Sequence, residues 1–107
     1  MKPKGRPKKK RIVRQSPRIS QFSPRGRPGR PDEASLGIDE LEAIRLADYQ
    51  GMSQKEAAKS MQISQQTFSR ILKKARRAIA DSLVTGKIIR IEGGSYAISS
   101  REHDQIK

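Results

Sequence analysis

Cysteine and tryptophan are missing from this chain of 107 residues, and its aromatic residues are limited to two Phe and two Tyr. Without cysteine there can be no disulfide, no thiol nucleophile and no cysteine-based metal cluster. No apolar run approaches the roughly 18 residues of a membrane span, and no apolar signal segment follows the basic first residues. These absences lead us to expect a soluble, cytoplasmic protein without a membrane partner.

Acidic residues are absent from the first 30 positions, which contain 12 Lys or Arg. The other 12 basic residues and all 11 acidic residues lie between 31 and 107, so nearly all of the net charge of +13 belongs to the first segment. A cationic segment attracts polyanions, and this one has no apolar face that would suit a membrane surface. Nucleic acid is therefore the expected partner, which would place the protein with the nucleoid.

The distribution of proline predicts three parts. All six prolines lie within residues 1–31, where apolar residues are too few to offset the entropy cost of ordering the chain. We expect a disordered basic arm over 1–31, a folded domain over 37–98 and a polar tail over 99–107. The only histidine, His103, falls in the tail, so we expect it to be neither a metal ligand nor a catalytic base.

Two helix starts lie close together between Ser53 and Leu72. Ser53 with Glu56 forms a capping box, and Ser64 begins a second helix in the same way. The spacing predicts a helix over 54–61, a sharp turn at Gln62 and Ile63, and a longer helix over 65–84 that ends at Gly86. A short helix, a tight turn and a longer helix are typical of a helix-turn-helix, whose second helix enters the DNA major groove.

A third helix should precede this pair. Asp39 with Glu42 resembles another cap, and the apolar spacing predicts a helix over 40–50 that stops at Gly51. Its acidic residues would repel phosphate, so we expect this helix to pack behind the pair. Acid–base catalysis is a second interpretation of these carboxylates, but capping and a solvated face explain them more simply.

The alternation of residues 87–98 predicts a β-hairpin with Gly93 and Gly94 in its turn. It could be a wing with Lys87 or Arg90 on phosphate, a lid over the helices, or a dimer edge. The expected fold class is therefore all-α: a three-helix helix-turn-helix domain with a short C-terminal β-hairpin and a disordered basic N-terminal arm.

The second helix of the pair has no acidic residue between Ser64 and Ala80. Amide side chains can pair with adenine and arginine with guanine, so its first two turns hold the candidate base-reading residues. These are Gln65, Gln66, Ser69 and Arg70. The candidate phosphate contacts are Ser53, Gln54, Thr67, Lys73, Lys74 and Arg77. The alternative is a solvated basic face with no ligand.

A separate candidate lies in the arm, where Arg25, Gly26, Arg27 and Pro28 resemble the core of an AT-hook. In such a motif an extended Arg-Gly-Arg lies in a narrow A·T minor groove. The alternative is a cationic linker that touches phosphates without order. The sequence leaves both interpretations open.

Several stretches resemble a prokaryotic family of predicted DNA-binding proteins, domain of unknown function one-three-four. They are DELEAIRLADYQGMSQKEAAKSMQIS, TFSRILKKARRAIADSLVTGK and IRIEGG, with a looser likeness at FSPRGRP. The resemblance implies a helix-turn-helix similar to that of region four of sigma-70 factors, which reads promoter DNA. Family members usually have Gly where this chain has Gln62, so a left-handed Gln62 would cost about 1 kcal/mol.

These features together predict sequence-specific binding of double-stranded DNA by a transcriptional regulator, without catalysis, cofactor or metal. The arm would lie on the DNA backbone or in the minor groove. RNA polymerase or another transcription protein is a possible partner, and a homodimer would suit a palindromic site. The alternatives are RNA binding or nonspecific nucleic-acid binding driven by the arm, or an interaction module for the transcription machinery.

Overall fold

A computed structural model of the chain describes residues 10–26, 29 and 31–99. The polar tail, apart from Ser99, lies outside the described residues. The elements are β1 (Arg11–Val13), β2 (Gln21–Phe22), β3 (Glu33–Leu36), α1 (Ile38–Ile44) with a π-helical continuation (Arg45–Tyr49), α2 (Gln54–Met61), α3 (Gln65–Thr85), β4 (Ile88–Ile91) and β5 (Tyr96–Ile98). None of the helices in this part of the chain is long and apolar enough to cross a membrane.

The fold is mixed α/β, so the all-α prediction was wrong. One sheet has the strand order β2-β4-β3, in which β4 pairs antiparallel with β2 and parallel with β3. The second sheet consists of β1 and β5 in parallel. These strands have two to four residues each, which is too short for a clear period-two pattern in the sequence.

The predicted β-hairpin is also absent, because β4 and β5 belong to different sheets. Gly93 and Gly94 adopt φ angles of 79° and 99° and carry the chain from one sheet to the other. The N–H of Ile38 donates to the Gly93 carbonyl over 2.9 Å. A Cβ atom on Gly94 would clash with Oδ1 of Asp39. The two glycines therefore permit a close approach to the start of α1, and they do not form a hairpin turn.

The arm expected to be disordered contributes both β1 and β2. Val13 is 1% exposed, although few apolar residues surround it in the sequence. Nη1 of Arg11 lies 3.1 Å from Oδ2 of Asp39, and the N–H of Arg14 donates to Oε2 of Glu42 over 2.9 Å. The prediction failed because it counted apolar residues and overlooked the buried carboxylates of α1 as partners for the arm.

Helix α1 starts two residues before its predicted first residue, and its N-cap is Gly37. The Glu40 carboxylate accepts the Gly37 N–H over 2.8 Å, which satisfies one free backbone donor at the helix start. Asp39, predicted as the cap, is 4% exposed and binds Arg11. The preference of Asp for caps was therefore outweighed by a partner distant in sequence.

The next two helices begin where the sequence predicts. Oγ of Ser53 accepts the Glu56 N–H while the Glu56 carboxylate accepts the Ser53 N–H, both over 3.0 Å. Oγ of Ser64 likewise accepts the Thr67 N–H over 3.0 Å. Helix α3 is followed by Gly86 at φ 74°. These predictions are confirmed because they depend on hydrogen bonds between residues that are three or four positions apart.

Two apolar clusters hold the elements together. The first packs α1, its π-helical continuation and α2 against the first half of α3, with Phe68 fully buried. The second joins Leu36 of β3 and Ile91 of β4 to Ala75 of α3. Because both clusters use the same side of α3, its opposite side is left exposed.

Candidate nucleic-acid interface

The exposed side of α3 carries a row formed by Gln66, Arg70, Lys73 and Arg77. Their separations of four, three and four residues place them on one face of a helix. The opposite face of α3 is buried and contains Phe68, Ile71, Leu72 and Ala75. At about 1.5 Å per residue the row is about 16 Å long. We call these four residues the α3 basic face.

The three cations of the α3 basic face, Arg70, Lys73 and Arg77, have no ion pair or hydrogen bond with another described residue. All three residues are exposed, and no acidic residue occurs on α3 before Asp81. Their charges are therefore available to an anionic ligand. This arrangement brings together two candidate base-reading residues with two candidate phosphate contacts.

Other cations of α3 are bound by the acidic residues of the first helical segment. Arg76 donates two hydrogen bonds to the Asp48 carboxylate, of 2.7 and 3.1 Å. These hydrogen bonds lower the pKa of Asp48 because they stabilise its ionised form. Nζ of Lys74 lies 3.7 Å from Oε2 of Glu40, so this predicted phosphate contact has an intramolecular partner. The first helix thus offsets cations at the edge of α3 and leaves the α3 basic face uncompensated.

The polar candidates on α2 and at the start of α3 differ in their surroundings. The Ser69 hydroxyl donates to Oε1 of Gln54 over 2.7 Å, which joins the second turn of α3 to the first turn of α2. Oγ1 of Thr67 accepts a hydrogen bond of 2.9 Å from the Ser64 hydroxyl. The Gln65 side chain is exposed and is not among the residues of the α3 basic face. Ser53 caps the start of α2 and is exposed there.

The turn between α2 and α3 depends on Gln62. It adopts φ 58° and ψ 44°, the left-handed conformation that favours glycine. The Ile63 N–H donates to the Ala58 carbonyl over 3.0 Å and closes the end of α2. The chain can then reverse into α3 within three residues.

The other candidate cations contribute less to this surface. Arg25 and Gly26 are exposed, whereas Arg27 lies outside the described residues. Arg90 donates two hydrogen bonds of 3.0 Å to the Glu33 carboxylate, and Nζ of Lys87 lies 2.7 Å from Oδ2 of Asp81. These pairs engage the cations that a wing would have placed on phosphate, and β4 lies in the centre of its sheet.

The structure has a cleft beside α3 that no sequence pattern predicted. Its volume is about 670 Å³, and its lining includes Arg11 of β1, Asp39 and Glu40 of α1, and Arg70 and Lys74 of α3. The only signal for it in the sequence is an acid-free arm together with an acid-rich helix. Among the described residues, no group of three or more His, Cys, Asp or Glu side chains could hold a metal ion.

Comparison with known proteins identifies the family of this chain. Residues 1–99 match a family model described as "Protein of unknown function DUF134". A UPF0251 protein of Caldicellulosiruptor bescii is 52% identical over 95 residues, which cover 89% of this chain and 66% of that protein. A UPF0251 protein of Thermoanaerobacter sp. is 48% identical over 98 residues, covering 91% and 87% of the two chains. The chain thus spans just under two thirds of the first relative. No solved structure matches it. The chain belongs to the DUF134 family of prokaryotic UPF0251 proteins.

Proposed function

We propose that this protein binds double-stranded DNA sequence-specifically and regulates transcription, with α2, the turn and α3 acting as a helix-turn-helix. The observation that carries the proposal is the α3 basic face, whose three cations have no partner among the described residues. An uncompensated row of this kind on a helix is the electrostatic footprint of a nucleic-acid ligand. In this proposal the helix-turn-helix is similar to that of region four of sigma-70 factors, and the protein is located at the nucleoid.

The dimensions of α3 suit the major groove. A helix with its side chains is about 10–12 Å across, and the groove of B-DNA is about 12 Å wide. In a helix-turn-helix the first residues of the second helix contact base edges. Gln66 and Arg70 would therefore read bases, adenine and guanine respectively, while Lys73 and Arg77 would bind phosphates.

The acidic residues of the first helical segment are compatible with this orientation. Asp48 and Glu40 are the acids with partners on α3, and their charges are offset by Arg76 and Lys74. Repulsion between these carboxylates and phosphate would be reduced by the same ion pairs. The Ser69–Gln54 hydrogen bond would support the angle at which α3 meets the groove.

The test is a selection of binding sites from randomised duplex DNA at about 150 mM salt, where nonspecific phosphate binding is weakened. We expect an enriched motif, and its symmetry would distinguish a monomer from a homodimer. Arg70→Ala should relax the preference at one position by about 1–3 kcal/mol. Arg76→Gln is the matched control, since it removes a charge from the same helix but lies outside the α3 basic face, and it should keep the motif.

Three results would contradict the proposal. If Arg70→Ala selected an unchanged motif, the α3 basic face would not be the surface that reads bases. The absence of any motif, together with tighter binding to RNA than to duplex DNA at matched salt, would favour the RNA-binding alternative. Weak binding to both would favour an interaction module for RNA polymerase or another transcription protein.

A further inference from the structure

The last turns of α3 expose apolar side chains. Leu83 is 76% exposed and Val84 is 84% exposed, which makes them the most exposed large aliphatic residues in the described part of the chain. Ala80 precedes Val84 by one helical turn and is also exposed. We call these three residues the α3 apolar end. Exposed apolar residues that adjoin one another are candidates for an interaction surface, whereas isolated ones need no explanation.

The turn that carries the α3 apolar end is fixed on its inner side. Ser82 is buried, and its hydroxyl donates to the Ala78 carbonyl over 2.8 Å. The N–H groups of Gly86 and Lys87 both donate to the Ser82 carbonyl, over 2.8 and 3.0 Å. The apolar side chains are therefore presented by an ordered turn, and a partner would not have to order the backbone on binding.

The charges around the α3 apolar end favour a protein partner over nucleic acid. Two of the cations that border it are already paired, Arg76 with Asp48 and Lys87 with Asp81. Seen along the helix, the α3 apolar end is rotated by about 60° from the α3 basic face, since successive residues turn by about 100°. DNA and a protein could therefore contact α3 at the same time.

The arrangement of these side chains suits a second copy of the chain. Ala80 and Val84 lie two residues on either side of Ser82, in line along the helix. If two α3 helices pack antiparallel about a two-fold axis at the level of Ser82, each Ala80 lies opposite the Val84 of the other copy. A small side chain then faces a larger one on both sides of the axis, with Leu83 beside them. The surface is thus complementary to itself, as a two-fold interface requires.

The same packing gives a separation that suits DNA. Arg70 precedes Ser82 by 12 residues, which is about 18 Å along the helix axis. In the antiparallel pair the two Arg70 residues would be about 36 Å apart, and half-sites one turn of B-DNA apart are separated by about 34–36 Å. The two Arg77 residues would be about 15 Å apart, beyond the Debye length of about 8 Å at physiological salt.

We propose that the α3 apolar end is the contact between two copies of this chain bound to an inverted repeat, with half-site centres about 10 base pairs apart. The inference rests on the proposed function and names a second copy as the partner of that site. Three side chains from each copy bury far less than the roughly 800 Å² per partner of a stable complex. The two copies therefore associate on DNA, which raises their effective concentration.

The experiment measures binding of the full-length protein to the complete selected motif and to a duplex with one half-site. We expect a Hill coefficient of about 2 on the complete motif and an affinity about tenfold or more above that for the half-site. Leu83→Gln combined with Val84→Gln should remove this advantage. The affinity for the half-site should stay within about twofold, which also reports that the variant is folded.

Tyr49→Gln is the matched control for the double variant. Tyr49 is 83% exposed, so the substitution removes an equally exposed hydrophobic side chain from a surface outside the α3 apolar end. This variant should bind the complete motif with unchanged cooperativity.

The spacing of the half-sites gives a second measurement. Inserting about five base pairs between them moves one half-site to the opposite face of the DNA, and inserting about ten adds a full turn of about 34 Å. Both insertions should abolish cooperativity, because the length of α3 fixes the distance between the two α3 basic faces.

A selected motif without two-fold symmetry, or cooperativity that survives Leu83→Gln with Val84→Gln, would overturn the dimer contact. If Arg70→Ala still changes the motif in that case, the proposed function stands without it. If the unmodified protein selects no duplex motif, the proposed function fails, and the dimer contact on DNA fails with it.

Discussion

Gln62 is the only residue other than glycine with a positive φ angle in the described part of the chain. The left-handed conformation brings the Cβ atom close to the following carbonyl oxygen, at a cost of roughly 1–2 kcal/mol for residues other than glycine. Gln62 adopts this conformation at the point where the chain reverses direction between α2 and α3. The orientation of the α3 basic face relative to α2 therefore depends on a strained residue.

We expect Gln62→Gly to raise the free energy of unfolding by about 1 kcal/mol, because glycine adopts this conformation without strain. Urea unfolding of the purified protein measures the change. Gln66→Gly is the matched control: Gln66 lies within α3, where glycine should lower the free energy of unfolding by about 0.5–1 kcal/mol. A Gln62→Gly protein no more stable than this control would show that the turn is not strained.

At the scale of elements, the loop between β4 and β5 connects the two sheets with the start of α1. Its backbone accepts the Ile38 N–H, and Gly94 approaches Asp39 too closely to allow a side chain. The same Asp39 binds Arg11 at the start of β1. One buried carboxylate thus holds together a helix start, a loop and β1.

We expect Gly94→Ala to lower the free energy of unfolding by about 1–3 kcal/mol, since both the φ angle of 99° and the contact with Asp39 oppose a Cβ atom. Gly93→Ala should cost less, because only its φ angle of 79° is unfavourable. Gly26→Ala should have almost no effect, as no described atom lies within 4 Å of its new Cβ. Urea unfolding would measure all three variants, and an equal cost for Gly26 and Gly94 would contradict the close approach.

For the whole molecule, the uneven charge distribution contributes to the fold. The Arg11 guanidinium of the acid-free segment pairs with Asp39, and the backbone N–H of Arg14 donates to Glu42; both carboxylates are buried in α1. Leaving a buried charge without its partner costs roughly 3–5 kcal/mol. The first part of the arm is therefore integral to the folded domain.

Two truncations test this conclusion. A chain that begins at Lys10 should keep the free energy of unfolding within about 0.5 kcal/mol, because it retains all of β1. A chain that begins at Gln15 loses the buried Val13, the Arg11 partner of Asp39 and the Arg14 N–H that donates to Glu42, so we expect a loss of more than about 3 kcal/mol. Thermal unfolding with circular dichroism would compare them. Equal midpoints would mean that β1 contributes nothing to stability.

The sequence by itself determined the helices of the candidate interface and their ends. Ser53, Ser64 and Gly86 act through hydrogen bonds and backbone preferences that span no more than four residues, so local chemistry was sufficient. The helical spacing of Gln66, Arg70, Lys73 and Arg77 likewise needs no tertiary information, and neither does the family likeness.

The tertiary structure alone decided the strand partners and the state of each charge. Arg11 pairs with Tyr96, and the same two-glycine sequence that suits a hairpin turn also suits a crossing between sheets, so no local pattern could distinguish them. Asp39 satisfies the rule for a helix cap but is used as a buried partner of Arg11. Whether a cation is available or paired, as in Arg77 and Arg76, depends on which acid the fold brings within reach.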